Sequence, residues 1–104
     1  MIMFRCLLVI TLLTAPGFAR SESSIGARLA ATCAACHGTA GDTKGSTLPR
    51  LAGQSQQALS ANLQAFKTGK RPSTIMTQIA KGYTDEQIEQ LAAYFAAQKP
   101  EAAK

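Results

Sequence analysis

The sequence predicts a small all-α domain built from about four to five short helices. Apolar residues recur at helical spacing in four segments of the 104-residue chain. No segment alternates apolar and polar residues in the way that a strand with one buried face does. A chain of this length forms one small core, and such cores often need a bound or covalent element to hold them together.

The N-terminal stretch, residues 1–19, has the pattern of a secretory signal peptide. One basic residue, Arg5, precedes the apolar run 6–13, and small residues lie at the end of the stretch. The apolar run is much shorter than the about 20 residues that span a bilayer. We therefore predict cleavage near Ala19, a periplasmic location, and no transmembrane anchor after cleavage. Cys6 is assigned to the removed segment.

The rest of the chain, residues 20–104, is predicted to be one domain, with a short tail at 101–104. The whole sequence has 11 basic and 6 acidic residues, and most of the basic ones are scattered singly. One basic cluster contains Lys67, Lys70 and Arg71. Aromatic residues are few and no nucleic-acid-binding motif is present, so we predict no nucleic-acid partner.

The first predicted helix spans residues 25–36, with Leu29, Cys33 and Cys36 near one face. The preceding polar residues are predicted to lead into this helix without belonging to it. Residues 38–53 follow as a loop, because glycines and a proline interrupt them and no periodicity runs through them. A loop of this length in a compact domain usually serves a binding site.

A second helix is predicted over residues 55–67, with Gly69 in the position that follows a helix end. A short helical segment comes next and is closed by Gly82. Its predicted apolar face consists of Ile75, Met76, Ile79 and Ala80.

The last helix is predicted to begin after Thr84 and to run to about Gln98. Thr84 and Gln87 have the spacing of a capping box, in which each side chain bonds to the backbone N–H of the other residue. Its predicted apolar face consists of Ile88, Leu91, Ala92 and Phe95.

The stretch Cys33-Ala34-Ala35-Cys36-His37 reads C-x-x-C-H, the attachment pattern of a c-type haem. Two thiols on one helical turn can form thioether bonds to one porphyrin, and His37 then offers an imidazole to the iron. C-x-x-C also occurs in redox dithiols and zinc sites. A thioredoxin-type dithiol follows a strand, and zinc needs four ligands. We therefore favour one covalent haem c, which uses both cysteines.

A haem iron held by His37 implies two further partners. A metal-bound histidine normally donates its other ring N–H, and a carbonyl of the loop 38–53 is the natural acceptor. Met76 is the one methionine outside the predicted signal peptide, and the chain has no second histidine. Met76 is therefore the leading candidate for the second axial ligand, with a lysine as a remote alternative. The competing interpretation makes Met76 an ordinary core residue.

These features resemble the class I cytochromes c of the short bacterial kind, over nearly the whole of residues 20–104. The stretches that carry the resemblance are Gly26 and Leu29 before the C-x-x-C-H motif, Pro49-Arg50-Leu51-Ala52-Gly53-Gln54 after it, and Leu91-Ala92-Ala93-Tyr94-Phe95 near the C-terminus.

The resemblance implies a class I cytochrome c fold, with short helices wrapped around one covalently bound haem. It implies that the Pro49 carbonyl accepts a hydrogen bond from His37 and that Met76 is the distal iron ligand. It further implies that the first and last helices cross near Gly26 and Tyr94.

Residues 66–69 and 73–83 are similar to the cytochrome subunits of flavocytochrome c sulfide dehydrogenases, in their single-haem form. This narrower resemblance implies a flavoprotein partner that carries FAD and oxidises sulfide. The alternative is a free electron shuttle between respiratory or photosynthetic complexes, which would meet other redox proteins through a charged rim. A haem enzyme or gas sensor with an open iron is disfavoured by Met76.

Overall fold

The computed structural model describes residues 21–100, and it contains five α-helices and two short 3-10 turns there. The predictions for the signal peptide, for its cleavage near Ala19 and for the tail 101–104 lie outside the described residues. The α-helices are α1 (Ser21–Ala30), α2 (Ala34–His37), α3 (Gln56–Lys67), α4 (Met76–Lys81) and α5 (Asp85–Ala96), and the 3-10 turns are Ala31–Cys33 and Thr39–Gly41.

The first helix begins earlier than the sequence pattern predicted. Helical backbone starts at Ser21 and, through the 3-10 turn Ala31–Cys33, continues to His37. The predicted start at residue 25 was wrong, because apolar periodicity marks only the part of a helix that packs against a core. A first turn needs no apolar residue, and serine and glutamate are well tolerated there.

Helices α1 and α5 cross in close contact, which confirms the predicted arrangement of the first and last helices. A Cβ atom placed on Gly26 would lie 2.8 Å from the Gln90 carbonyl oxygen and 2.9 Å from Tyr94 Cβ. Any larger residue at this position would separate the two helices. The missing side chain of Gly26 therefore sets the distance between α1 and α5.

The core lies between α1, α3 and α5. Leu91 and Ala92 of α5 meet Ala30 of α1 and Leu59 of α3 in one buried cluster, which Phe95 completes. Helix α4 packs against α3, and its contribution to the buried interior is Ala80, which is fully buried. Partly buried residues surround the cluster, namely Leu29, Cys33, Leu51, Leu63, Tyr83, Tyr94 and Ala96.

The loop between α2 and α3 is bonded to itself and to α5. The N–H groups of Leu51 and Ala52 both donate to the Gly41 carbonyl, at 2.9 and 3.1 Å, and Gly53 N–H donates to the Phe95 carbonyl at 3.0 Å. Gly38 opens the loop with a φ of +83°, where a Cβ atom would lie only 1.9 Å from the Asp42 carbonyl oxygen. The predicted loop is therefore an ordered layer over one side of the domain.

The predicted ends of α3 and α5 agree closely with the structure. Ser55 caps α3 by accepting from Ala58 N–H. At α5, Gln87 N–H donates to Thr84 Oγ1 at 3.1 Å, and Thr84 N–H donates to Gln87 Oε1 at 2.9 Å, which is the predicted capping box. Helix α5 ends at Ala96, two residues before the predicted end. Beyond it, Gln98 N–H donates to the Phe95 carbonyl, three residues back, in a tighter turn than that of an α-helix.

Ile75 differs from its predicted place on the apolar face of α4. It precedes the first residue of the helix and is 58% exposed, whereas Ala80 on the same segment is fully buried. The prediction failed because Ile75 has a non-helical backbone, with φ −135° and ψ −21°, so helical spacing does not place its side chain.

Candidate functional site

Cys33 and Cys36 lie at the junction between the first 3-10 turn and α2. Cys33 ends the turn and packs against the core cluster, whereas Cys36 is exposed on α2, and both are free thiols. Burial raises the pKa of the Cys33 thiol, an effect that a hydrogen bond with Thr32 opposes and that the nearby Cys36 reinforces. The two cysteines are three positions apart, about one helical turn, which is the spacing for two thioether bonds to one porphyrin.

His37 is buried and its ring orientation is fixed by the loop. The side chain is 9% exposed, and its Nδ1 lies 2.8 Å from the Pro49 carbonyl oxygen. A carbonyl can only accept, so Nδ1 carries the proton and donates it. The neutral ring then has its lone pair on Nε2, the atom left to bind a metal. This is the contact that the resemblance implied for Pro49.

The segment around Pro49 is held by an ion pair that sequence reasoning missed. Arg50 Nε lies 3.5 Å from Asp42 Oδ1, and the Asp42 side chain is only 10% exposed. Gln54 Nε2 also donates to the Arg50 carbonyl. These contacts link the start and the end of the loop on both sides of Pro49. Opposite charges at the two ends of a glycine-rich loop were the signal available in the sequence.

Met76 lies on a different element from the cysteines and His37, as the first residue of α4. Its side chain is partly exposed. The N-terminal end of α4 is fixed by Ser73, whose Oγ accepts from Thr77 N–H at 2.9 Å and pairs with the Thr77 hydroxyl at 2.8 Å. Met76 is thus presented on a short helix with an anchored first turn.

A second contact that sequence reasoning missed joins the residue before Cys33 to the segment after α4. The hydroxyl oxygens of Thr32 and Tyr83 are 3.0 Å apart. Tyr83 follows the helix that begins with Met76, so this contact links the two segments that carry the candidate iron ligands. Only the three-dimensional arrangement could reveal a pair separated by 51 positions.

Two features are absent from residues 21–100. Among these residues, no helix is long and apolar enough to cross a membrane. Within the same part of the chain, no group of three or more His, Cys, Asp or Glu side chains is arranged to hold a metal ion.

The chain is similar to known proteins over most of its length. The family model for cytochrome c matches residues 23–99. The chain is 42% identical over 99 residues to a thiosulfate dehydrogenase electron acceptor of Stutzerimonas stutzeri (strain A1501), covering 79% of this chain and 46% of that protein.

Two other relatives carry different names. Cytochrome c4 of Pseudomonas aeruginosa is 38% identical over 93 residues, covering 88% of this chain and 46% of the relative. The cytochrome subunit of sulfide dehydrogenase of Chlorobaculum tepidum is 44% identical over 72 residues, covering 69% of this chain and 64% of the relative. The chain thus spans about half the length of the first two relatives and just under two thirds of the third.

The chain belongs to the cytochrome c family, as a class I cytochrome c. Its cofactor is a covalently bound haem c, and it acts as an electron carrier. The residues described above fit this cofactor, because they supply two free thiols on one turn and a histidine whose Nε2 lone pair is available. When bound, the haem supplies a one-electron exchange between ferric and ferrous iron.

Proposed function

We propose that this cytochrome is the electron-accepting subunit of a periplasmic, sulfide-oxidising flavocytochrome c, with FAD carried by a partner subunit. The observation that carries the proposal is the 44% identity to a protein named as the cytochrome subunit of sulfide dehydrogenase. The signal-peptide pattern of residues 1–19 supports export to the periplasm.

In this proposal, Cys33 and Cys36 would form the haem thioethers, and His37 and Met76 would bind the haem iron. The hydrogen bond from His37 Nδ1 to the Pro49 carbonyl supports the first ligand, because it leaves Nε2 free for the iron. A thioether from Met76 favours reduced iron and raises the reduction potential, which suits a subunit that accepts electrons.

Covalent attachment has a direct test. Acid–organic extraction of the wild-type protein should leave the haem colour with the polypeptide, because thioether bonds survive denaturation. In Cys33→Ala/Cys36→Ala, any haem present should pass into the organic phase. Free extraction of haem from the wild-type protein would disprove both thioether assignments.

Exposed apolar residues next to Met76 and Pro49 in the sequence support a contact with a partner. Ile75 is 58% exposed and directly precedes Met76, and Leu48 is 44% exposed and directly precedes Pro49. Large apolar side chains in such positions are suited to burial against another protein. A permanent subunit interface draws its stability mainly from apolar burial of this kind.

The nearby basic cluster is partly engaged within the chain itself. Lys67 Nζ lies 2.9 Å from Asp85 Oδ1, and the Arg71 guanidinium lies 4.8 Å from the centre of the Phe66 ring. These contacts offset the Lys67 charge and hold Arg71 against the C-terminal end of α3, whereas Lys70 is exposed. An interface built mainly on a basic rim therefore has less support than an apolar one.

The experiment is co-purification with the FAD-bearing subunit in about 1 M salt, where the screening length falls to about 3 Å. Gel filtration should show haem and FAD absorbance eluting together, and sulfide should reduce the haem. Ile75→Ser should weaken the complex by removing apolar burial, whereas the matched surface change Lys70→Ser should leave it intact.

The second candidate function is a free electron shuttle, and a specific observation favours it. Another relative is named as an electron acceptor of thiosulfate dehydrogenase, and a third is named cytochrome c4. A shuttle would bind its partners weakly and lose them at high salt. Three results together would establish the shuttle instead. Haem would elute alone, sulfide would not reduce it, and Lys70→Ser would weaken association more than Ile75→Ser.

A further inference from the structure

Two hydroxyl groups and one carbonyl meet where the haem-attachment turn approaches the segment after α4. Thr32 Oγ1 and Tyr83 Oη are 3.0 Å apart, and each lies 3.4 Å from the Leu29 carbonyl oxygen. We call the contact between Thr32 and Tyr83 the hydroxyl bridge. It is a long-range contact, because 51 positions separate the two residues.

Tyr83 moves with α4 because its backbone continues the end of that helix. Tyr83 N–H donates to the Ala80 carbonyl at 3.2 Å, and Gly82 N–H donates to the Ile79 carbonyl at 3.1 Å. Ala80 is fully buried, and the Tyr83 ring packs against the core cluster. Helix α4 has only six residues, so a short path of hydrogen-bonded backbone joins Tyr83 to Met76.

Thr32 belongs to the segment that carries the other half of the site. It lies in the 3-10 turn Ala31–Cys33, directly before Cys33, and His37 ends the helix that follows this turn. The hydroxyl bridge therefore connects the segment that bears Cys33, Cys36 and His37 to the helix that bears Met76. Within residues 21–100, the other side-chain hydrogen bond described between these parts of the chain is the longer one from the Tyr83 hydroxyl to the Leu29 carbonyl, at 3.4 Å.

We propose that Tyr83 is a positioning residue for the distal iron ligand, because its hydroxyl, held by Thr32, keeps α4 in register with the attachment turn. The inference rests on the proposed role of Met76 as that ligand. Without the bridge, α4 has more freedom, and the fraction of molecules in which Met76 has left the iron increases. An external ligand binds only to that fraction, so its apparent affinity measures the fraction directly.

The experiment uses the complete haem-loaded protein in its ferric state, with imidazole as the external ligand. Tyr83→Phe retains the ring and removes only the hydroxyl. It should increase the apparent imidazole affinity by about 2- to 10-fold, the range for a lost hydrogen bond. The reduction potential should fall, because weaker thioether ligation favours ferrous iron less.

Thr32→Val removes the other half of the bridge while the tyrosine remains, so it provides a second test if Tyr83→Phe folds poorly. Its effect should have the same direction but be no larger than that of Tyr83→Phe, because the Tyr83 hydroxyl keeps its contact with the Leu29 carbonyl. The double variant should show no more than the larger single effect. Tyr94→Phe makes the same chemical change on α5 and serves as the control, with unchanged imidazole affinity.

Two results would overturn the proposal. The first is that both single variants have the imidazole affinity and the reduction potential of the wild type. If only their melting temperatures fell, the bridge would stabilise the fold without positioning the ligand. The second is full additivity in the double variant. Met76→Ala separates this failure from a wrong ligand assignment. If that variant binds imidazole no more tightly than wild type, Met76 is not the ligand, and the bridge proposal fails together with that ligand assignment. If it binds more tightly, only the bridge is in question.

Discussion

The hydrogen bond from His37 to the Pro49 carbonyl decides which ring nitrogen is available for metal binding. Because Nδ1 must donate across 2.8 Å to an acceptor-only group, the lone pair is on Nε2. The bond also restrains rotation of the ring. A backbone acceptor is independent of side-chain identity, so the loop can set the tautomer as long as its fold places the carbonyl there.

Met76→Ala is predicted to leave a ligand position of the haem iron open. The reduced protein should then bind carbon monoxide, and the reduction potential should fall because a thioether that favours ferrous iron is lost. Titration with carbon monoxide and redox potentiometry measure both effects. Ile79→Ala, which shortens a partly buried side chain on the same helix, is the control. An unchanged spectrum and potential in Met76→Ala would exclude this ligand.

At the scale of helices, the close approach of α1 and α5 depends on Gly26. Gly26→Ala is predicted to destabilise the protein by about 1–3 kcal/mol, because the added Cβ would meet the Gln90 backbone oxygen at 2.8 Å. Thermal denaturation of the haem-loaded protein measures the loss.

Gly82→Ala is the matched control for this change. Gly82 has a right-handed φ of −75°, and its added Cβ would meet nothing closer than 3.3 Å, so its effect should stay within about 1 kcal/mol. Equal melting temperatures for the two variants would show that the helices can separate without cost.

The contact between α3 and the start of α5 predicts a dependence of stability on pH. A hydrogen bond from Lys67 lowers the pKa of Asp85, with a second from Gln64 and the Lys67 charge adding to the effect. When the pKa of a carboxyl is lower in the folded state than in the unfolded state, the carboxylate stabilises the folded protein at pH values above the unfolded-state pKa. This contribution is lost as the pH falls through the lowered folded-state pKa. The loss of stability therefore begins at about pH 4 and continues below it.

Asp85→Asn should make the fall in melting temperature over this acidic range shallower than in wild type. The difference should be small, because the Asp85 side chain is 78% exposed and salt screens the pair. Glu86→Gln removes a charge from the neighbouring position of the same helical turn and is the control. An identical pH profile for Asp85→Asn and wild type would show that the contact adds nothing in solution.

For the whole molecule, the small buried core predicts that the fold depends on its cofactor. Half of the eight buried hydrophobic residues that the structure describes are alanines, and the largest fully buried side chains are Ile88 and Leu91. Alanine buries little apolar surface, so the core contributes little against the entropy of ordering the chain. A covalent haem adds a large apolar body for the helices to pack around.

Cys33→Ala/Cys36→Ala, prepared without haem, is therefore predicted to show little helical circular dichroism and no cooperative melt. Cys36→Ala alone leaves one thioether position and His37, and it should keep most of the helical signal once haem is attached. A haem-free double variant that melts cooperatively with wild-type helicity would contradict the prediction.

The sequence by itself determined the features that depend on neighbouring residues. The C-x-x-C-H motif indicated the cofactor, because two thiols and an imidazole need only one turn to come together. Thr84 and Gln87 located the start of α5, since a capping box is formed within four residues. The class of fold followed from helical periodicity, and Gly26 and Tyr94 at the crossing followed from the family resemblance.

The tertiary structure alone decided the contacts between distant segments. Periodicity could not show that Ile75 leaves the helical face, because one non-helical residue redirects its side chain. The ion pair of Asp42 with Arg50 and the pairing of Thr32 with Tyr83 depend on how loops and helix ends meet after packing. Opposite charges within one loop are the sequence signal of the first contact. The second leaves no local pattern, since it depends on the path of the whole chain between its two residues.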